Sequence, residues 1–87
     1  MSSQGEPYAL NDVDGLLGNW FVEHSSADTQ GPLLSFVANL CKHPPDDDEG
    51  SDAVWVPTPS GFQQVGLSWI IDHARRVVNL LDVRDIT

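Results

Sequence analysis

The densest group of side chains able to do chemistry lies in "CKHPPDDDEGSD". This stretch puts a thiol, an imidazole and five of the chain's 13 acidic residues within Cys41–Asp52. Cys41 and His43, joined by His24, His73 or the acids Asp46, Asp47 and Asp48, have the donor types of a zinc or other divalent-metal site. The spacing C-x-H argues against one. Recognisable structural zinc sites bring a second Cys/His pair at defined spacing, and this chain has a single cysteine. Cys41 also falls on the apolar side of its expected helix, where a free cysteine is ordinarily a small hydrophobe. A calcium loop counted from Asp46 needs Gly at the sixth position and Glu at the twelfth. Those positions hold Ser51 and Pro57. No serine sits in a G-x-S-x-G context, and no glycine-rich loop carries the lysine of a phosphate cradle. His24 and His73 are expected as hydrogen-bonded core or interface residues. No catalytic residue, metal ligand or cofactor is assigned.

Surface character is the remaining signal. Four Lys/Arg stand against 13 Asp/Glu, for a formal net charge of -9. Such a field repels nucleic acid and anionic membranes and attracts basic surfaces. Hydrophobic residues make up 40% of the chain, too many for a disordered polyanion. One cysteine excludes an internal disulfide, "MSSQGEPY" has neither a basic start nor an apolar run behind it, and the longest apolar stretch is broken by Asp72, His73, Arg75 and Arg76. A cytoplasmic protein with no membrane span is expected.

The elements that would position these groups follow from periodicity. Leu10, Val13, Leu16, Leu17, Trp20, Phe21 and His24 recur at three and four residues and predict a helix over roughly 11–24, capped by Asn11 or Asp12. A strand through "NWFVE" is the rival, since aromatic and β-branched residues gather there. Leu33, Phe36, Val37, Leu40 and Cys41 predict a second helix over 32–42, begun by Pro32 and stopped by Pro44 and Pro45. Asp46–Asp52 then form an acidic loop, followed by a short extended segment near 53–57 with no obvious mate. Ser60 and Gln63 read as a capping box opening a third helix over 60–82. Its polar arc is narrow: Gln64, Ser68, Asp72, Arg75, Asn79 and Asp82. A helix apolar around most of its girth is central in the fold or meets a partner.

The expected architecture is therefore an all-α three-helix bundle of one domain, 10–82, after a flexible lead-in over 1–9 and before a charged tail over 83–87. The expected function is that of a small acidic non-enzymatic protein-binding module. It would act as an inhibitor or regulator, docking on a basic, nucleic-acid-handling protein by nucleic-acid mimicry. The contact residues assigned are Asp46, Asp47, Asp48, Glu49, Asp52 and Trp55, because a tryptophan beside a charge cluster suits an interface anchor. A homodimer built on the wide apolar face of helix 60–82 is the second reading, and a metal-dependent site at Cys41 and His43 the third.

Overall fold

The computed structural model describes residues 6–86. The expected lead-in residues 1–5 and the last tail residue, 87, lie outside them. The chain runs β1 (Ala9–Asp12), a 3-10 turn (Val13–Gly15), α1 (Leu16–Glu23), α2 (Ala27–Lys42), β2 (Glu49–Thr58), β3 (Gly61–Asp72) and β4 (Val77–Asp85). The four strands form one sheet in the order β1-β4-β3-β2, with β1 parallel to β4 and the other pairs antiparallel. Helix α1 packs over β4 and α2 over β2. The all-α bundle is thus overturned: the fold is a two-layer α/β arrangement.

The third expected helix is where the sequence misled. Its apolar residues fit a helical arc, yet Val65, Leu67, Trp69 and Ile71 also alternate, and all four are buried. Alternation with period two is a strand's pattern. Both periods fit because the opposite face of β3 carries Phe62 and Ile70, so apolar residues occur on both sides and imitate a wide helical stripe. In β4, Val78, Leu80 and Val83 are buried. Ser68 pairs with Asp82 while Trp69 pairs with Leu80, leaving Leu81 as an extra residue. This bulge turns the inward spacing from two to three at Leu80–Val83 and so adds to the helical appearance. The capping box is a turn: Pro59 and Ser60 connect the closing pair Thr58 and Gly61 of the β2–β3 hairpin. The self-associating helix face over 60–82 disappears with the helix.

Other elements moved less. The segment near 53–57 is the second half of β2, and its mate is β3 over the full length of the hairpin. The helix expected over 11–24 divides. Asp14 (φ 60) and Gly15 (φ 66) take left-handed conformations, which reverse the chain between β1 and α1. Asp12 still caps the helix from this distance, its carboxylate oxygens accepting from Leu17 N–H at 2.8 Å and Gly18 N–H at 3.0 Å. Helix α2 begins five residues before the expected Pro32 and ends at Lys42 as its prolines require. Its buried residues Leu33, Val37, Leu40 and Cys41 are the expected stripe. Strand β4 continues to Asp85, into the stretch expected as a tail, and β1 begins at Ala9, inside the expected lead-in.

One core consists of Leu17 and Trp20 from α1, the α2 stripe, Val56 from β2 and the inward residues of β3 and β4. Gly50 belongs to its edge. A Cβ at this position would stand 2.5 Å from Trp69 Nε1 and 2.6 Å from Trp69 Cε2, far inside van der Waals contact. Substituting Gly50→Ala is expected to displace the Trp69 indole and lower the unfolding free energy by about 1–3 kcal/mol. Urea unfolding at constant m-value checks this, with near-ultraviolet circular dichroism reporting the aromatic rearrangement.

Candidate functional site

Both helices lie on one side of the sheet, so among the described residues its other side has no cover from secondary structure. Alternation assigns residues to that side. In β2 they are Glu49, Ser51, Ala53, Trp55 and Pro57, and in β3 Phe62, Gln64, Gly66, Ser68 and Ile70. Their register brings Pro57 opposite Phe62, Trp55 opposite Gln64, Ala53 opposite Gly66, Ser51 opposite Ser68 and Glu49 opposite Ile70. Next to them in β4, Arg84 pairs with Gly66 and Asp82 with Ser68. Large apolar side chains exposed here include Trp55 at 56%, Phe62 at 72%, Ile70 at 41% and Ile86 at 52%. Tryptophans 20 and 69 are both buried, which leaves Trp55 as the accessible one.

Between these side chains the floor is made of small residues. A shallow depression of about 560 Å³ opens over Ser51, Ala53, Gly66 and Ser68, walled by Asp82, Arg84 and Ile86. Arg84 is not free to meet an anion, since its Nε donates to the Asp82 carboxylate at 2.6 Å. Arg75 is paired with Asp72 at 3.8 Å, and Arg76 donates to the Glu6 carbonyl while its guanidinium lies 5.1 Å from the Tyr8 ring centre. Three of the four cations in the chain are thus already engaged, and most of the acids face solvent.

The residues assigned from sequence do not form one cluster. Asp46 and Asp47 are exposed in the α2–β2 loop. Asp48 lies beside His73, Oδ1 to Nε2 at 4.0 Å, and its backbone carbonyl accepts from Ile71 N–H. Glu49 and Asp52 are strand residues of β2. Asp52 turns its carboxylate back onto Ala53 N–H at 2.8 Å. Trp55 is six residues from Glu49, about 20 Å along an extended strand. Glu49 and Trp55 therefore stand well apart along one edge strand, with Asp52 between them and Asp46–Asp48 in the loop before it. Phe62, Ile70 and Ile86 were missed because they belong to segments expected as helix and tail. The alternation of Phe62, Gln64, Gly66, Ser68 and Ile70 is the signal that marks this face.

The edge of the sheet at β2 is guarded. Pro57 has no N–H to offer a further strand, its carbonyl accepts from Thr29 Oγ1 at 2.6 Å, and Asp52 occupies the N–H of Ala53. These are recognised ways of stopping an edge from pairing, and they direct attention to the face.

The histidines resolve into two tethers. His73 Nδ1 is 3.0 Å from the Tyr8 hydroxyl, which sets Asp48, His73 and Tyr8 in a row. A catalytic relay needs hydrogen-bond contact of roughly 2.6–3.2 Å at each link, and the Asp48 link is 4.0 Å. With Tyr8 N–H bonded to the Cys41 carbonyl and Ala9 N–H to that of Arg76, the row fastens the entry to β1 to the β3–β4 turn. His24 is held by Trp20 and Asp85. Cys41 is buried in the core and His43 exposed beyond the helix end, and among the described residues no group of three or more His, Cys, Asp or Glu side chains could hold a metal. No described helix is long and apolar enough to cross a membrane. No protein-family model, curated protein or solved structure matches the chain.

Three outcomes are expected from this geometry. Trp55→Ala and Phe62→Ala remove exposed side chains and should each change stability by no more than about 0.5 kcal/mol, read from urea midpoints. Burial pushes the Cys41 thiol up from its ordinary range, so the folded state holds this proton more tightly than the unfolded chain. Alkylation of Cys41 at neutral pH should be slow until urea unfolds the protein. The thiol's contribution to stability should decline as pH rises past the range of a free thiol.

Proposed function

We propose that this protein is a small non-enzymatic binding module, an inhibitor or regulator, that docks on a basic protein surface through the helix-free face of its sheet. The observation that carries this reading is the exposure of Trp55, Phe62, Ile70 and Ile86 on one sheet face of a chain with net charge -9. Large exposed apolar side chains gathered on one face mark interaction sites. Tryptophan is among the residues that most often dominate interface energy. The acids at 46–49 and Asp52 would act at longer range, speeding encounter with a cationic surface rather than supplying most of the affinity. A surface that handles nucleic acid has that charge, which makes nucleic-acid mimicry the natural mode of inhibition.

A sheet with exposed aromatic residues is also a platform on which single-stranded bases stack. Charge decides against this second reading. Nucleic-acid affinity rests largely on cations that neutralise phosphates, whereas three of the four cations here are engaged with the protein's own groups.

An arginine-rich peptide bearing leucines, titrated into the isotopically labelled protein, tests the proposal. Amide shifts should gather at Trp55, Phe62, Ser68 and Ile70. Affinity should fall at least tenfold between about 50 mM and about 300 mM salt, and tenfold again in the Trp55→Ala, Phe62→Ala double variant. Shifts confined to α1 and α2, or binding indifferent to salt and to the double variant, would overturn it.

A further inference from the structure

The depression on the open face already holds a guanidinium. Arg84 and Asp82 stand in its β4 wall, opposite Gly66 and Ser68 of the floor. Arg84 Nε donates to Asp82 Oδ2 at 2.6 Å, and Nη2 meets the same oxygen. A fork in which each N–H takes its own carboxylate oxygen is the stronger pairing, and a guanidinium arriving from outside the strand is free to adopt it. The Arg84 side chain is 71% exposed and that of Asp82 31%, so the arginine is the outer member of the pair. It reaches back along its own strand and stays at the wall, and the floor of Ser51, Ala53, Gly66 and Ser68 remains open.

The aliphatic stem of a second arginine can lie along such a floor while its charged head reaches the wall. The other acid bordering the depression, Asp52, is turned to its own strand, onto Ala53 N–H. Asp82 is thus the carboxylate within reach of a side chain that enters over the floor. An exposed ion pair is a weak contact, so Arg84 gives way readily to a better-forked rival, yet while in place it keeps the carboxylate paired. We propose that Asp82 is the point on the open face that receives an arginine side chain of the basic partner, and that Arg84 occupies this place until the partner displaces it. Arg84 is then a built-in competitor that raises the demand on the partner: diffuse positive charge does not suffice, and a guanidinium laid over the small-residue floor does. The partner's identity rests on the docking reading above, while the exchange at Asp82 can be tested without it.

N-acetyl-argininamide and N-acetyl-lysinamide, titrated separately at equal ionic strength and followed by NMR, test the exchange alone. The arginine compound should move the Arg84 Nε–H resonance and the Ser68 amide. The lysine compound should move neither, because an ammonium cannot fork. Arg84→Gln should bind the arginine-rich peptide about threefold more tightly than the wild type, the order of one exposed ion pair. Two controls separate competition from a change of net charge. Arg75→Gln removes the same charge at the β3–β4 turn and should leave affinity nearly unchanged. Combined with Asp82→Asn, Arg84→Gln should bring no more gain than Arg75→Gln does. An equal response to the lysine compound, or an Arg84→Gln gain as large with Asp82→Asn as without it, would overturn the exchange. If the arginine compound displaces Arg84 but the peptide moves only the amides of α1 and α2, the exchange stands and the docking reading fails.

Discussion

The burial of one face of β3 is the constraint on which the remaining structure depends. Val65, Leu67, Trp69 and Ile71 are all buried, and such a row can be removed from water only by packing a second layer upon it. The chain supplies that layer from its first half. Helix α2 presents Leu33, Val37, Leu40 and Cys41, and α1 presents Leu17 and Trp20. Among the described residues, the two helices cover one side of the sheet and no element covers the other.

That imbalance organises the surface. The uncovered side keeps small residues over its middle and large apolar ones toward its ends. Trp55 and Phe62 stand near the hairpin tip, while Ile70 is opposite Glu49 at the far end. The exposed edge beside it is closed by Pro57, Thr29 and Asp52. Such blocks are the ordinary protection of an edge strand against indiscriminate pairing.

The same packing sets the local details. Gly50 is small because Trp69 occupies the space a Cβ would need. The Leu81 bulge lets β4 switch its inward spacing so that Val83, as well as Leu80, reaches the core. Beyond the bulge the strand places Asp85 under Trp20 and His24, joining the end of the sheet to the end of α1. The acidic run at 46–49 lies at the opposite end, and one of its members, Asp48, is bound up with His73 and Ile71.

Locally encoded features were legible in the sequence. The α2 stripe and its termination at the prolines, the burial of Cys41 and the bonds of Asp12 to the first turn of α1 follow from side chains a few residues apart or from turn chemistry. The net charge of -9 needed only composition. The sheet, its helix-free face and the contact of His24 with Asp85 were decided by tertiary structure. They join residues far apart in the chain: Ala9 pairs with Val77, Tyr8 meets His73, and His24 meets Asp85. Residues 62–81 satisfy a helical and a strand period at once. A local pattern cannot choose between the two, because the choice is made by whether β2, β4 and two helices are present to receive the strand's hydrogen bonds and its apolar face.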